Sequence, residues 1–222
     1  MLAAVSLCKG LDFVNILSIS DIIIPFLHSP EICEKIRGVD FIIACGDLPY
    51  YYQEYIFEKL NVPLFFVRGN HDSPIEHSAD GDRNAPRGGV DLHRRIIHQD
   101  NLILAGVQGS ILYNNWGNFQ YTQGEMWRHV LSLVPGLLLN RLLYGRYLDV
   151  FVSHAAPWGI HDKSDWPHQG VRAYRWLIRV FKPKYHFHGH NHIYETDTII
   201  QTQVGDTLVM NTYGYRQQDL TF

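Results

Sequence analysis

The sequence predicts an α/β fold in which a parallel sheet is covered by helices, and three observations lead there. Short apolar runs alternate with segments of helical period across residues 13–67. Several of these runs end on an Asp, a Gly-Asp, a Gly-Asn-His or a His, at the place where ligands gather in parallel sheets. No linker, repeat or shift of composition divides the 222 residues, so a single domain over 1–222 is expected.

Taken in order, "FVNILSIS" (13–20) reads as a buried strand that delivers Asp21. "SPEICEKI" (29–36) reads as a helix with Ser29 as cap and Pro30 at its first position, stopped by Gly38. "DFIIAC" (40–45) is a strand running into Gly46-Asp47, "YYQEYIFEKL" (51–60) a helix, and "PLFFV" (63–67) a strand running into "RGNHD". Residues 73–93, rich in Gly, Pro and Asp, are expected to form a loop over the strand ends, before a strand at 102–107. Residues 122–145 have helical character, and Pro135-Gly136 predicts two helices or one strong kink. "LDVFVS" (148–153) is a strand ending at His154, 170–181 a helix, "YHFHG" a strand, and 197–212 a hairpin turning at Gly205-Asp206.

A hydrophobic fraction of 46%, a charged fraction of 18%, a net charge of −3 and a pI near 6.5 describe a globular chain without a large basic field. Nucleic acid is therefore not an expected partner. Cys8, Cys33 and Cys45 are odd in number and form no Cys-x-x-Cys pair, which argues against a disulfide framework or zinc knuckle and for a reducing cytoplasm. The opening "MLAAVSLCKG" has no basic start and no clear cleavage site, so no signal peptide is read there, and no apolar window predicts a membrane span or a membrane partner. The oligomeric state is not legible.

Residues 186–192, "HFHGHNH", hold four imidazoles in seven positions. On a strand, His186, His188 and His190 share one face, an arrangement that suits either a metal or a plain histidine-rich strand. Across the chain the strand-end residues supply carboxylate, amide and imidazole donors, a set that fits Mn, Fe or Zn rather than a thiolate-bound ion.

In this order, Asp21, Gly46-Asp47, "GNHD" (69–72), "SHAAP" (153–157) and "GHNH" (189–192) resemble the motifs of the calcineurin-like metallophosphoesterase superfamily. The resemblance implies a four-layer-type β-sandwich flanked by helices that carries two divalent metal ions. It implies Asp47 as the bridging ligand, Asp21 and His192 at a first site, and Asn70, His154 and His190 at a second. It implies hydrolysis of a small phosphomonoester or phosphodiester by a metal-activated hydroxide. His71 then protonates the leaving oxygen, with Asp72 holding its imidazole charged and oriented. His161, His188 and Arg68 are further candidates for contact with substrate or support of the ligands.

One position departs from the family's pattern. The first element is ordinarily Asp-x-His, and here "SDIIIP" puts Ile23 where a first-site ligand stands. Ile23 motivates the alternative reading, a catalytically weak or inactive module that uses the fold for binding or scaffolding.

Overall fold

The computed structural model describes residues 13–222 apart from Asp80, Asn115 and Thr196. Cys8 and the opening stretch read above for a signal peptide lie outside the described residues. The chain runs through β1 (Val14–Ser20), a 3-10 turn (Pro25–His28), α1 (Ile32–Lys35), β2 (Phe41–Ala44), α2 (Tyr50–Leu60) and β3 (Leu64–Phe66). There follow β4 (Gly89–Asp91), β5 (Ile96–Gln99), β6 (Leu102–Val107), β7 (Ser110–Ile111), β8 (Gln120–Tyr121) and α3 (Gln123–Tyr144). The last elements are β9 (Val150–Ser153), α4 (Arg172–Phe181), β10 (Tyr185–His188), β11 (Gln201–Val204), β12 (Thr207–Asn211) and β13 (Gly214–Leu220).

Two large sheets result, in the orders β13-β1-β2-β3-β4 and β11-β12-β10-β9-β6-β5, with a small β7-β8 pair beside them. The inner strands pair in parallel, and β13, β11 and β5 add antiparallel edges. The sheets face each other through one apolar layer that includes Ile16, Ile43, Phe65, Leu104, Val152 and Phe187. Side chains of successive strand residues point to opposite faces, so the alternate positions need cover of their own. Leu17, Ile19, Ile42 and Leu64 pack under the 3-10 turn, α1 and α2, while Ile103, Ala105 and Phe151 pack under α3 and α4. Helix, sheet, sheet and helix make the four layers that the family resemblance implied, where periodicity alone reached only one covered sheet.

Several local expectations are corrected. The helix expected over 29–36 shrinks to Ile32–Lys35, preceded by the 3-10 turn. Pro135 does not split the segment 122–145; it lies exposed inside one continuous helix. Met126, Val130, Leu133, Leu137 and Asn140 are buried along one face on both sides of it, and that packing outweighs the missing N–H. The loop 73–93 contains a bridge between Glu76 and Arg83 and ends in β4. β5, β13 and the small β7–β8 pair carry too little apolar character to be read from the sequence, whereas the hairpin at Gly205-Asp206 forms where expected.

Helix α3 begins with a reciprocal cap. The Thr122 hydroxyl accepts from Glu125 N (3.2 Å), and the Glu125 carboxylate accepts from Thr122 N (2.9 Å). Thr122→Ala is expected to lower the unfolding free energy by about 1 kcal/mol in urea titration. An unchanged midpoint would mean that the cap adds nothing.

Candidate metal centre

β1, β2, β3, β9 and β10 all deliver their carboxyl ends to one edge of the sandwich, and the candidate residues follow immediately: Asp21, Asp47, Asn70, His154 and His190. The chain turns sharply at each delivery. Asp21, Asp47 and His190 adopt left-handed backbone, with φ of 68°, 57° and 66°. Non-glycine residues adopt that conformation at a cost, and here it swings their side chains back over the strand ends. Two glycines permit the closeness. A Cβ on Gly69 would lie 1.9 Å from Asp47 Oδ1, and one on Gly189 would lie 1.9 Å from Ser20 Oγ.

His154 is fully buried. Its Nδ1 lies 2.7 Å from the Cys45 carbonyl oxygen, which can only accept, so Nδ1 carries the proton and Nε2 turns to the site. The same logic applies to His190. Its Nε2 lies 2.8 Å from the Pro167 carbonyl oxygen, which leaves Nδ1 as the inward atom. Around His154 Nε2 stand His190 Nδ1 at 3.2 Å, Asn70 Oδ1 at 3.0 Å and Asp47 Oδ2 at 3.3 Å. Asn70 is oriented in turn, its Nδ2 donating to Tyr113 Oη (3.2 Å), which keeps Oδ1 inward. Two imidazole lone pairs, an amide oxygen and a carboxylate thus converge in a buried space. Without a positive charge between them they repel, so the residues present fit a divalent cation. Among the described residues, Asp47, His154 and His190 form the group whose ligand atoms all lie within 4.8 Å of one another.

Electrostatics agree with that geometry. Burial opposes the charged form of His154, yet Asp47, by charge and hydrogen bond, and Asp21 lift its pKa to about 9. Burial and the charged His154 push His190 down to about 3. Burial also works against ionised Asp47, but the His154 charge and the bonds from His154 and the His71 N–H hold it below the usual carboxylate range. Asp21, buried beside Asp47, rises to about 6 despite His154.

The first-site candidates sit next to this cluster and are less tightly gathered. The Asp21 carboxylate accepts from His190 N (3.0 Å) and lies 3.7 Å from His192 Nε2. His192 packs its ring against Tyr213, tilted by 33°, and its Nδ1 meets Tyr194 Oη at 2.7 Å. Ile23 is 41% exposed, and His28 packs its ring on Tyr51, Tyr52 and Tyr55.

His71 is exposed, with its N–H on Asp47 Oδ1 (2.8 Å). The Asp72 carboxylate points inward, not to the His71 ring. It accepts from Asp47 N (3.1 Å), Leu48 N (2.9 Å) and Gly69 N (2.7 Å), pinning the loops after β2 and β3 to each other. Arg68 is likewise engaged, by Asp91 (2.5 Å), the Tyr50 hydroxyl (3.1 Å) and the Asn84 carbonyl (2.6 Å). Beside the cluster the buried His188 and the half-buried His161 are linked: His188 Nε2 meets His161 Nδ1 at 2.9 Å, and His161 Nε2 meets Thr202 Oγ1 at 2.8 Å. His186 bonds Ser153 Oγ at 2.8 Å.

Sequence reasoning missed the orienting partners. The Cys45 and Pro167 carbonyls carry no side-chain signal, and Tyr113 stands in a stretch with no motif. It also missed His168, which bonds Asp165 and lies with its ring 5.3 Å from that of His190; the "DWPH" run after His154 was the available hint.

The profile of the calcineurin-like phosphoesterase family matches residues 14–194. The chain belongs to that family. No curated protein matches it individually. Among solved structures, the protein TT1561 of Thermus thermophilus superposes with a TM-score of 0.62 at 15% identity, over 96% of this chain and 99% of that one. GAP50, the anchor in the inner membrane complex of Plasmodium, superposes with a TM-score of 0.53 at 14% identity, over 90% of this chain and 71% of that one. At such identities the likeness is one of fold.

A cation that occupies the space between His154 and His190 must displace the His154 proton. That proton is bound in the folded protein below a pKa of about 9, against 6.5 for an ordinary histidine. Its contribution to the stability of the metal-free protein is complete below about pH 6.5 and is lost as pH rises through about 9. Manganese binding between pH 7 and pH 8.5 is expected to release about one proton per ion, seen in calorimetry across buffers of different ionisation enthalpy. Release of no proton would contradict the assignment.

Proposed function

We propose that the chain is a metal-dependent phosphoesterase that hydrolyses a small phosphomonoester or phosphodiester. The single observation that carries this reading is the convergence of His154 Nε2, His190 Nδ1, Asn70 Oδ1 and Asp47 Oδ2 at a strand-end edge, with both tautomers set by backbone carbonyls. Asp47, Asn70, His154 and His190 hold one divalent ion, of Mn, Fe or Zn type. Asp47, Asp21 and His192 hold a second, with fewer protein ligands because Ile23 supplies none. When bound, such ions lower the pKa of a water and neutralise phosphoryl oxygens.

The chain's own residues do the rest. His71, exposed at the mouth beside Asp47, donates the proton to the leaving oxygen. Asp72 acts through the backbone: its three bonds fix the Gly69 turn and so keep Asn70 and His71 where "GNHD" places them. His161 and His188 brace the strand that presents His190, and Arg68 braces the β3 exit. The scaffold reading rests on Ile23 alone, and a pure scaffold gives no reason to orient two buried imidazoles and an amide on one point.

Asp47→Ala removes the carboxylate shared by both sites and is expected to lower manganese-dependent hydrolysis of bis-p-nitrophenyl and p-nitrophenyl phosphate by roughly a thousandfold, with the circular dichroism unchanged. Turnover near that of the wild type would overturn the mechanism. Ile23→His adds a donor beside Asp21 and is expected to tighten the weaker of two manganese-binding steps in calorimetry. Unchanged affinity would mean that the loop after Asp21 directs residue 23 away from the site.

A further inference from the structure

Helix α3 has two apolar faces. One buries Met126, Val130, Leu133 and Leu137 against the sheet. On the opposite face Leu131, Leu138, Leu139, Leu142 and Leu143 are all exposed, as is Tyr144 at the helix end, with Leu142 at 81%. The spacing 131, 138, 139, 142 is that of a continuous helical stripe, and a stripe of leucines in water costs free energy unless something covers it.

The surrounding charge indicates what covers it. No Asp or Glu occurs between positions 126 and 148, while Arg128, Arg141 and Arg146 do. Arg128 is neutralised by Glu125 and Arg146 by Asp149. Arg141 and the exposed Arg94 have no carboxylate at ion-pair distance among the described residues, and Asp149, the first acidic residue after the helix, is already held by Arg146. Arg94 lies on the helix flank, its Nε bonding Ser132 Oγ (3.3 Å). Antiparallel pairing of the stripe with a second copy would set Arg141 opposite Ser132 and this same Arg94, like charge against like. Leucines flanked by unpaired arginines, with the exposed Tyr144 at the end of the helix, fit an anionic lipid surface instead.

The placement also separates this surface from the metal centre. α3 leaves the carboxyl ends of the strands at Thr122 and returns to the amino end of β9, so Leu142 lies at the edge opposite His154. Over its 22 residues the helix spans roughly 33 Å. No helix among the described residues is long and apolar enough to cross a membrane.

We propose that the outer face of α3, from Leu131 to Tyr144 with Arg94 and Arg141, docks the protein on an anionic phospholipid bilayer, with the metal centre at the other end of the helix from Leu142. This goes beyond the sequence expectation of no membrane partner and does not depend on the proposed hydrolysis. The test is co-sedimentation of the full chain with mixed phosphatidylglycerol and phosphatidylcholine vesicles, and with phosphatidylcholine alone. The mixed vesicles are expected to bind it, the neutral ones far less, and added salt to weaken the binding. The exposed pair Leu139→Ser with Leu142→Ser is expected to cut the binding constant about tenfold or more, with circular dichroism and manganese binding unchanged. Equal binding by the double variant would overturn the proposal, as would failure of the wild-type chain to bind mixed vesicles. A wild-type dimer in light scattering that the double variant converts to monomer, without vesicle binding, would overturn it in favour of self-association.

Discussion

Two buried imidazole nitrogens, His154 Nε2 and His190 Nδ1, face each other at 3.2 Å beside a carboxylate, and much of the surrounding structure serves to hold them there. Each ring is fixed from behind by a backbone carbonyl, Cys45 for one and Pro167 for the other. A histidine so restrained cannot turn away to relieve the repulsion, so the arrangement requires a positive charge at its centre. In the metal-free protein the His154 proton supplies it, which is why Asp47 lifts that pKa and His190 falls. The same point fits a divalent ion, and proton and metal would compete for it.

The fold makes this possible at modest cost. Parallel strands bring Asp21, Asp47, Asn70, His154 and His190 to a common edge, and the left-handed turns at three of them direct the side chains inward. Packing on both faces of each sheet offsets the strain of those turns. Asp72 adds a local tie, since burying a carboxylate is tolerable when three backbone donors meet it. Burial and the nearby Asp47 nonetheless raise its pKa to about 7, so the tie is itself sensitive to the charge of the centre.

The inner strands and the longer helices were legible in the sequence, because buried parallel strands are continuous apolar runs, and β1, β2, β3, β9 and β10 each run into a motif. The edge strands were not. β13 reads "GYRQQDL" and owes its conformation to pairing along the whole of β1, an interaction between the two ends of the chain that no local pattern encodes. Pro135 left two helices or one kinked helix open, and the tertiary packing of five residues decides for a single helix. At the site, the motifs of the family resemblance named Asp47, Asn70, His154 and His190, which the fold brings together, but not their orientation. The "HD" of "GNHD" suggested a side-chain pair, whereas the turn sends His71 outward and Asp72 onto the backbone. Backbone carbonyl partners such as Pro167 are invisible to any reading of side-chain chemistry.

The central claim is that His154 and His190 are held in place for a cation. Its most direct test is elemental mass spectrometry of the untagged chain, purified from manganese- and iron-supplemented medium and dialysed, alongside His190→Ala. The account predicts at least one divalent ion per chain in the wild type and its loss in the variant. A wild-type chain that retains no ion, or a variant that retains it equally, would contradict it.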